Sequence, residues 1–196
     1  SQTGETLFTH TPGLRVVLPA TAEDANGLLR TAIRCEDPVL FLEPKRIYRA
    51  IKQEVSEEKF SVPIGKAKVL SQGTDVTVVA YGAMIREVQK AMVMAKEAGY
   101  SVELIDLRTI YPLDKETIAA SVRKTGRLIF VGEEPRSFGV GSEIMAVANE
   151  EAFLHLEAPP KRVAAFDVIV PYPRGEHHYM ITPEKIFYEI ERTIKF

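Results

Sequence analysis

Residues 32–37, Ala-Ile-Arg-Cys-Glu-Asp, followed by Pro38, carry the strongest local case for a binding site. They fall where a helix is predicted to end. The last carbonyls of a helix lack intrahelical partners and sit at the negative end of its dipole. Pro38 pushes the residue before it out of the helical region, which lets the carbonyls of Ala32, Ile33 and Cys35 converge with Asp37. An oxygen-only cluster suits a hard cation. The alternative is a plain helix terminus satisfied by water. Cys35 is the only cysteine, so no internal disulfide can form and a reducing compartment is expected. With no base at catalytic spacing, its thiol reads as a small packed group, not a nucleophile.

The histidines are His10, His155, His177 and His178. His177 and His178 lie in PYPRGEHHY, a segment rich in Pro and Gly that reads as a solvated or interface loop. Neighbouring side chains there are expected to point in different directions, and no third ligand is spaced to complete a zinc site. His10 reads as a local hydrogen-bonding residue. Gly139-Val140-Gly141-Ser142 lacks the third glycine of a dinucleotide fingerprint, so its glycines are expected to let a helix start pack closely.

These residues need elements to position them. Residues 14–18 form a short apolar run typical of a buried strand. Thr21 caps the helix that follows, with Asp24 reaching back as a short capping box. Leu28, Leu29, Ala32 and Ile33 are expected to share one face, and residues 39–42 restart a buried strand. The charged residues 49–64 lack periodicity and read as a linker. A second α/β module follows. Its predicted strands span residues 76–80, 102–105, 128–131 and 162–165. Its predicted helices run from Met84 towards Gly99, from Asp114 to Lys124, from Ser142 to Phe153 and from Pro183 onward. Such alternation implies a doubly wound, mostly parallel sheet. The apolar residues 168–173 (VIVPYP) need cover from another surface.

Composition narrows the function. The chain has 196 residues and a net charge of -2, so there is no electrostatic case for nucleic acid. No apolar run approaches the roughly 20 residues that span a bilayer.

The stretches PGLRVVLPATAEDANGLL and AIRCEDPVLFLEPKRIYR resemble one family closely. It is that of the β subunits of thiamine-diphosphate-dependent 2-oxo acid dehydrogenase decarboxylase components. The resemblance continues through YGAMIREV, VELIDLRTIYPLD, KTGRLIFVGEE, GVGSEI and LEAPPKRVAAFD, and so covers the whole chain. It implies that residues 1–48 end a pyrimidine-binding domain and that residues 65–196 form a transketolase C-terminal-like domain. It also implies oxidative decarboxylation of a 2-oxo acid, with transfer of the acyl group to lipoyl-lysine.

Further expectations rest on the same resemblance. Thiamine diphosphate and Mg²⁺ would be held mainly by an α subunit, and a structural K⁺ by Ala32, Ile33, Cys35 and Asp37. Cys35 stands where the family usually has Asp, and Asp37 where it often has Asn. Partners would be the α subunit, a second β subunit and the lipoyl acyltransferase core. Glu157 and the C-terminal Phe196 match docking positions for that core, against the plainer reading of a solvated glutamate and a frayed end. The opening Ser1-Gln2 matches the family's His-Ser-Gln, so the chain is expected to be the C-terminal part of a longer subunit. Its catalytic histidine and cofactor-activating glutamate would lie upstream, leaving this polypeptide inactive alone. Glu43-Pro44-Lys45 and that opening lean towards the branched-chain type over pyruvate. A transketolase-type enzyme and a non-catalytic docking module are the other readings. The cytoplasm, or the mitochondrial matrix of a eukaryote, is the expected location.

Overall fold

Apolar strands alternate with amphipathic helices along this chain, and they assemble into two sheets. The structure is a computed structural model and describes residues 3–50 and 52–196. The Ser1-Gln2 opening, and Ile51 within the linker, lie outside the described residues. A short helix, α1 (Glu5–Thr9), comes first, followed by β1 (Arg15–Val17), α2 (Ala22–Arg34) and β2 (Val39–Phe41). β1 and β2 pair in parallel, with Val16 opposite Leu40, so α2 is the crossover of a βαβ unit. The linker has no strand and no α-helix among its described residues, but it is pinned to α2. The Val62 N–H donates to the Gly27 carbonyl at 3.1 Å, and the Thr31 hydroxyl donates to the Val62 carbonyl at 2.6 Å.

The second module runs β3 (Lys68–Ser71), β4 (Val76–Ala80), α3 (Met84–Glu97), β5 (Val102–Asp106), β6 (Thr109–Tyr111) and α4 (Lys115–Thr125). It continues with β7 (Leu128–Pro135), α5 (Val140–Ala152), β8 (Lys161–Ala165), α6 (Glu176–Tyr179) and α7 (Pro183–Ile194). Its sheet has the order β3-β5-β4-β7-β8 and is parallel except for the antiparallel edge strand β3. Both faces are covered, which is why β4 reads as the unbroken run VTVVA. Val76, Val78 and Ala80 pack with residues of α3 and α7, while Val79 packs with residues of α4 and α5. Thr182, Asp114 and Thr21 cap their helices through side-chain oxygens. Gly126 ends α4 at φ +69, a left-handed turn that glycine adopts without steric cost.

Several expectations change. Asp24 does not complete a capping box. Its carboxylate instead accepts from the Thr21 hydroxyl at 2.8 Å and from Arg108 Nη1 at 3.1 Å, because the buried guanidinium is the stronger donor. Leu29 and Ile33 are 44% and 75% exposed and form a second stripe, since Asp24, Gly27 and Leu28 supply the buried face of α2. β2 is half-buried, not buried. Strands β3 and β6 and helix α1 were not foreseen.

β6 joins the modules by pairing antiparallel with β1, Thr109 opposite Val17. Arg108, just before it, fixes that junction. Its guanidinium also donates to the Lys66 carbonyl at 2.9 and 3.2 Å and to the Ala67 carbonyl at 3.3 Å. Replacement Arg108→Met would strand a carboxylate that is only 2% exposed. We expect a loss of about 3–5 kcal/mol, read as a lower urea midpoint. A loss within about 1 kcal/mol would show that the junction does not depend on this pair.

Candidate functional site

In an open α/β sheet, ligands meet the carboxyl ends of the strands where the chain switches direction across the sheet. Here that point is the end of β4, whose neighbours are β5 and β7. Tyr81 follows β4 and is 4% exposed. Its hydroxyl meets two carboxylates: Glu5 of α1, and Glu134 of β7, whose Oε2 is 2.6 Å away. Glu134 Oε1 accepts the Gly141 N–H at 2.7 Å, and Glu5 accepts from the Thr3 hydroxyl. Burial pushes both carboxyls upward, Glu134 to about 7, against the hydrogen bonds that favour the charged forms. Burial and the two acids also push the Tyr81 phenol well above its usual range. A group poised in this way can hold or release a proton near neutrality.

A cavity of about 550 Å³ lies beside Tyr81, bounded by Leu18, Leu42, Glu43, Arg46, Gly82 and Glu133. Arg46 spans its mouth, 3.3 Å from Glu87 and 3.4 Å from Glu133. A second cavity, of about 700 Å³, lies between α1, the turn after β6 and the start of α5. His10, Tyr111, Lys115, Phe138 and Ser142 line it. Phe138 is 92% exposed at φ +59, a conformation that is strained for a bulky residue. The preceding Ser137 is anchored, its N–H and hydroxyl donating to Asp167 at 2.9 and 2.7 Å. Those bonds lower the Asp167 carboxyl.

The glycines of GVGS serve packing. A Cβ at Gly139 would stand 2.2 Å from a Glu134 oxygen, and one at Gly141 would stand 2.5 Å from the Phe130 ring.

The other sequence candidates are scattered. α2 ends at Arg34, and Cys35 leaves the helix in extended conformation with its N–H on the Ala32 carbonyl at 3.2 Å. Asp37 turns its carboxylate to Arg15, whose Nη2 and Nε both donate to Oδ2, at 2.6 and 3.0 Å. Cys35 is half-buried. His177 and His178 do not point apart as expected. They lie on the one-turn helix α6, not in a loop, with ring centroids 3.8 Å apart. Among the described residues, no group of three or more His, Cys, Asp or Glu side chains is placed to hold a metal ion. Glu157 pairs with Arg127 at 2.7 Å while its side chain stays 61% exposed, and Phe196 is 76% exposed at the chain's end. Phe166, Val168, Ile169 and Tyr172 are all more than half exposed, an apolar strip that agrees with the need for cover read from VIVPYP.

Sequence reasoning missed the Glu5–Tyr81–Glu134 cluster. Its members lie 76 and 53 positions apart along the chain, and no periodicity marks Glu5, because its helix has only 5 residues. Two signals were available: Tyr81-Gly82 at the carboxyl end of a predicted strand, and the acid pair Glu133-Glu134 that ends the apolar run LIFVG.

Comparison with known proteins places this geometry. Residues 65–186 match the family model "Transketolase, C-terminal domain", and residues 1–51 match "Transketolase, pyrimidine binding domain". The pyruvate dehydrogenase E1 component subunit beta of Acholeplasma laidlawii is 54% identical over 195 residues, covering 100% of this chain and 60% of that protein. Its Staphylococcus aureus counterpart is 44% identical over 192 residues, covering 98% of this chain and 59% of that one. The chain thus spans about 60% of the length of the curated relatives it matches. These relatives are named as pyruvate-type subunits, so they do not confirm the lean towards the branched-chain type and fit the pyruvate alternative better. Among solved structures, a split-gene transketolase described as an inactive beta4 tetramer superposes with a TM-score of 0.80 at 26% identity. The match covers 97% of this chain and 60% of that one. The transketolase of Pichia stipitis, at TM-score 0.65 and 15% identity, covers 98% of this chain and 27% of its own, and shares the fold. No described helix is long and apolar enough to cross a membrane. With its doubly wound second module matched from β3 into α7, the chain belongs to the transketolase C-terminal domain family.

Proposed function

We propose that this chain is the C-terminal part of the β subunit of a pyruvate-type, thiamine-diphosphate-dependent 2-oxo acid dehydrogenase decarboxylase. The observation that carries the reading is 54% identity to such a subunit along the whole chain. Thiamine diphosphate, when bound, supplies the electron sink for decarboxylation, and the protein binds and orients it. In this reading an α subunit holds most of the cofactor and its Mg²⁺, and this chain supplies assembly surfaces. The exposed strip of Phe166, Val168, Ile169 and Tyr172 would meet a second β subunit about a two-fold axis. The full-length β subunit, mixed with its α subunit, thiamine diphosphate and Mg²⁺, should turn over pyruvate faster than 2-oxoisovalerate. The opposite preference would restore the branched-chain type, and turnover of neither would sink the dehydrogenase reading.

The turn after α2 is proposed as a K⁺ site formed by the main-chain carbonyls of Ala32, Ile33, Cys35 and Asp37. Its donors are main-chain carbonyls, so the donor set is neutral and suits a weakly hydrated monovalent cation, and Arg15 offsets the charge of the Asp37 carboxylate beside it. A ligand that binds only the native state raises stability. Melting temperatures should therefore be higher in potassium than in sodium chloride at equal ionic strength. Superimposable curves would remove the ion.

Glu157 and the Phe196 carboxylate are proposed as docking points for the subunit-binding domain of the acyltransferase core. Their exposure supports this, with Arg127 as the partner that Glu157 would exchange. Glu157→Lys should weaken that domain's binding and flatten its salt dependence. Unchanged affinity at low and high salt would exclude the docking point.

A further inference from the structure

The contacts at the end of β4 cannot be satisfied by the protons usually assigned to them. Tyr81 has a single hydroxyl proton, yet its oxygen lies within hydrogen-bonding reach of both Glu5 and Glu134. The remaining carboxyl oxygens are also engaged. Glu5 Oε2 accepts from Thr3, and Glu134 Oε1 accepts the Gly141 N–H. With both acids ionised, one of the two phenol contacts would press an oxygen lone pair against another. All three residues are at most 4% exposed, so water cannot dilute that repulsion. Glu134 packs directly against Gly139, where an added Cβ would stand 2.2 Å from its carboxyl oxygen.

We propose that Glu5, Tyr81 and Glu134 share one additional proton, and that this proton seats α1, and the chain entering it, on the C-terminal module. With the proton present, one carboxyl donates to the Tyr81 oxygen while Tyr81 donates to the other carboxylate, and every contact is complementary. Without it, two buried negative charges face each other across a phenol. The seat is then weakened on the α1 side, because Glu134 keeps its Gly141 bond while Glu5 loses the complementary contact that ties it to the C-terminal module.

No surrounding cation takes the proton's place. Arg46 is committed to Glu87 and Glu133, and Lys45 and Glu43 line the neighbouring cavity. On β8, Arg162 donates to the Arg136 carbonyl and the Ser142 hydroxyl. Glu133 adds repulsion that raises Glu5 further. The inference stands whichever 2-oxo acid, or whichever reaction, the subunit serves.

The sign of the pH dependence follows. Both carboxyls lie above the 4.5 of an unfolded glutamate, Glu134 at about 7. The folded state therefore binds more protons than the unfolded one between those values. Its contribution to stability is fully present below 4.5 and is lost as pH rises through about 7. Infrared spectroscopy of the folded chain should show the carbonyl stretch of a buried, protonated carboxyl at about pH 6. The band should fade with a midpoint near 7 and be lost or altered in Glu134→Gln and Glu5→Gln. Melting temperatures should fall between about pH 5 and pH 8 more steeply in the wild type than in Glu134→Gln, whose amide can donate to Tyr81 at every pH. Tyr81→Phe, which removes the bridge, should destabilise across the whole range.

A wild-type spectrum without the band is decisive even if a variant fails to fold, whereas a band counts for the cluster only where the glutamate variants change it, because burial pushes Asp106 up to about 7 as well. Absence of a protonated-carboxyl band at about pH 6 overturns the proposal. So does a Glu134→Gln protein that keeps the full wild-type pH slope, which would make the contact merely structural.

Discussion

One guanidinium sets how the two sheets meet. Arg108 reaches Asp24 at the start of α2, the carbonyls of Lys66 and Ala67 at the end of the linker, and, through its own carbonyl, the Leu18 N–H after β1. The crossover helix, the linker and the β1–β6 pairing are thus fixed by the same residue. A buried ion pair adds little net stability over an apolar replacement, but breaking one half leaves a desolvated charge. The pair therefore acts by penalising every other arrangement of the modules. The backbone takes part as well. Arg108 sits at φ +56, and its N–H donates to Asp106 Oδ1 at 3.0 Å, so the acid below it helps hold a conformation that side chains seldom adopt.

The carboxyl ends of the strands hold two buried acid clusters that solve one problem in two ways. Asp24 is met by a fixed positive charge. Asp106, beside it, is pushed up to about 7 by burial and answered only partly by the Arg108 N–H. Glu5 and Glu134 meet a phenol and a backbone N–H in place of a cation. Desolvation is the leading cause of the shift at Asp106, Glu5 and Glu134 alike, so the geometry of the partners decides which acids keep a charge. Where only hydroxyls and amides are present, the proton becomes part of the structure.

The same contrast explains what could be read from the sequence. β4, α3, α4 and α7 were legible because their periodicity and caps are local: VTVVA is buried on both faces, and Asp114 and Thr182 accept from the N–H groups of Thr117 and Lys185. β6 was not legible. Its partner is β1, more than ninety residues earlier, and three residues carry no usable alternation. α2 was legible as a helix, but which of its residues are buried was not. Leu29 and Ile33 follow helical spacing, but the buried stripe is set by Gly27, against which Phe60 and Val62 of the linker pack. The turn at residues 32–37 was legible as a helix end. The destination of Asp37 was not, because Arg15 reaches it from the adjacent strand.

These long-range contacts bear on how the fold uses its switch point. In open α/β sheets the crevice at the carboxyl ends of the strands is the usual place for a ligand. Here the innermost position, against Tyr81, is taken by Glu5 of the chain's own first helix. Glu134, which closes the opposite side, spends its second oxygen on the Gly141 N–H at the start of α5, and the glycine at 139 leaves room for that approach. The crevice has become a joint between modules. A polar joint of this kind is directional in a way that an apolar one is not. Apolar packing would tolerate α1 sliding along the strand ends, whereas a phenol with two acceptors fixes the helix in both position and rotation. The cavity that remains, bordered by Arg46 and Glu133, lies to one side of that joint. Arg46 is already paired with Glu87 and Glu133 within the chain, so the strand ends serve assembly of the modules first.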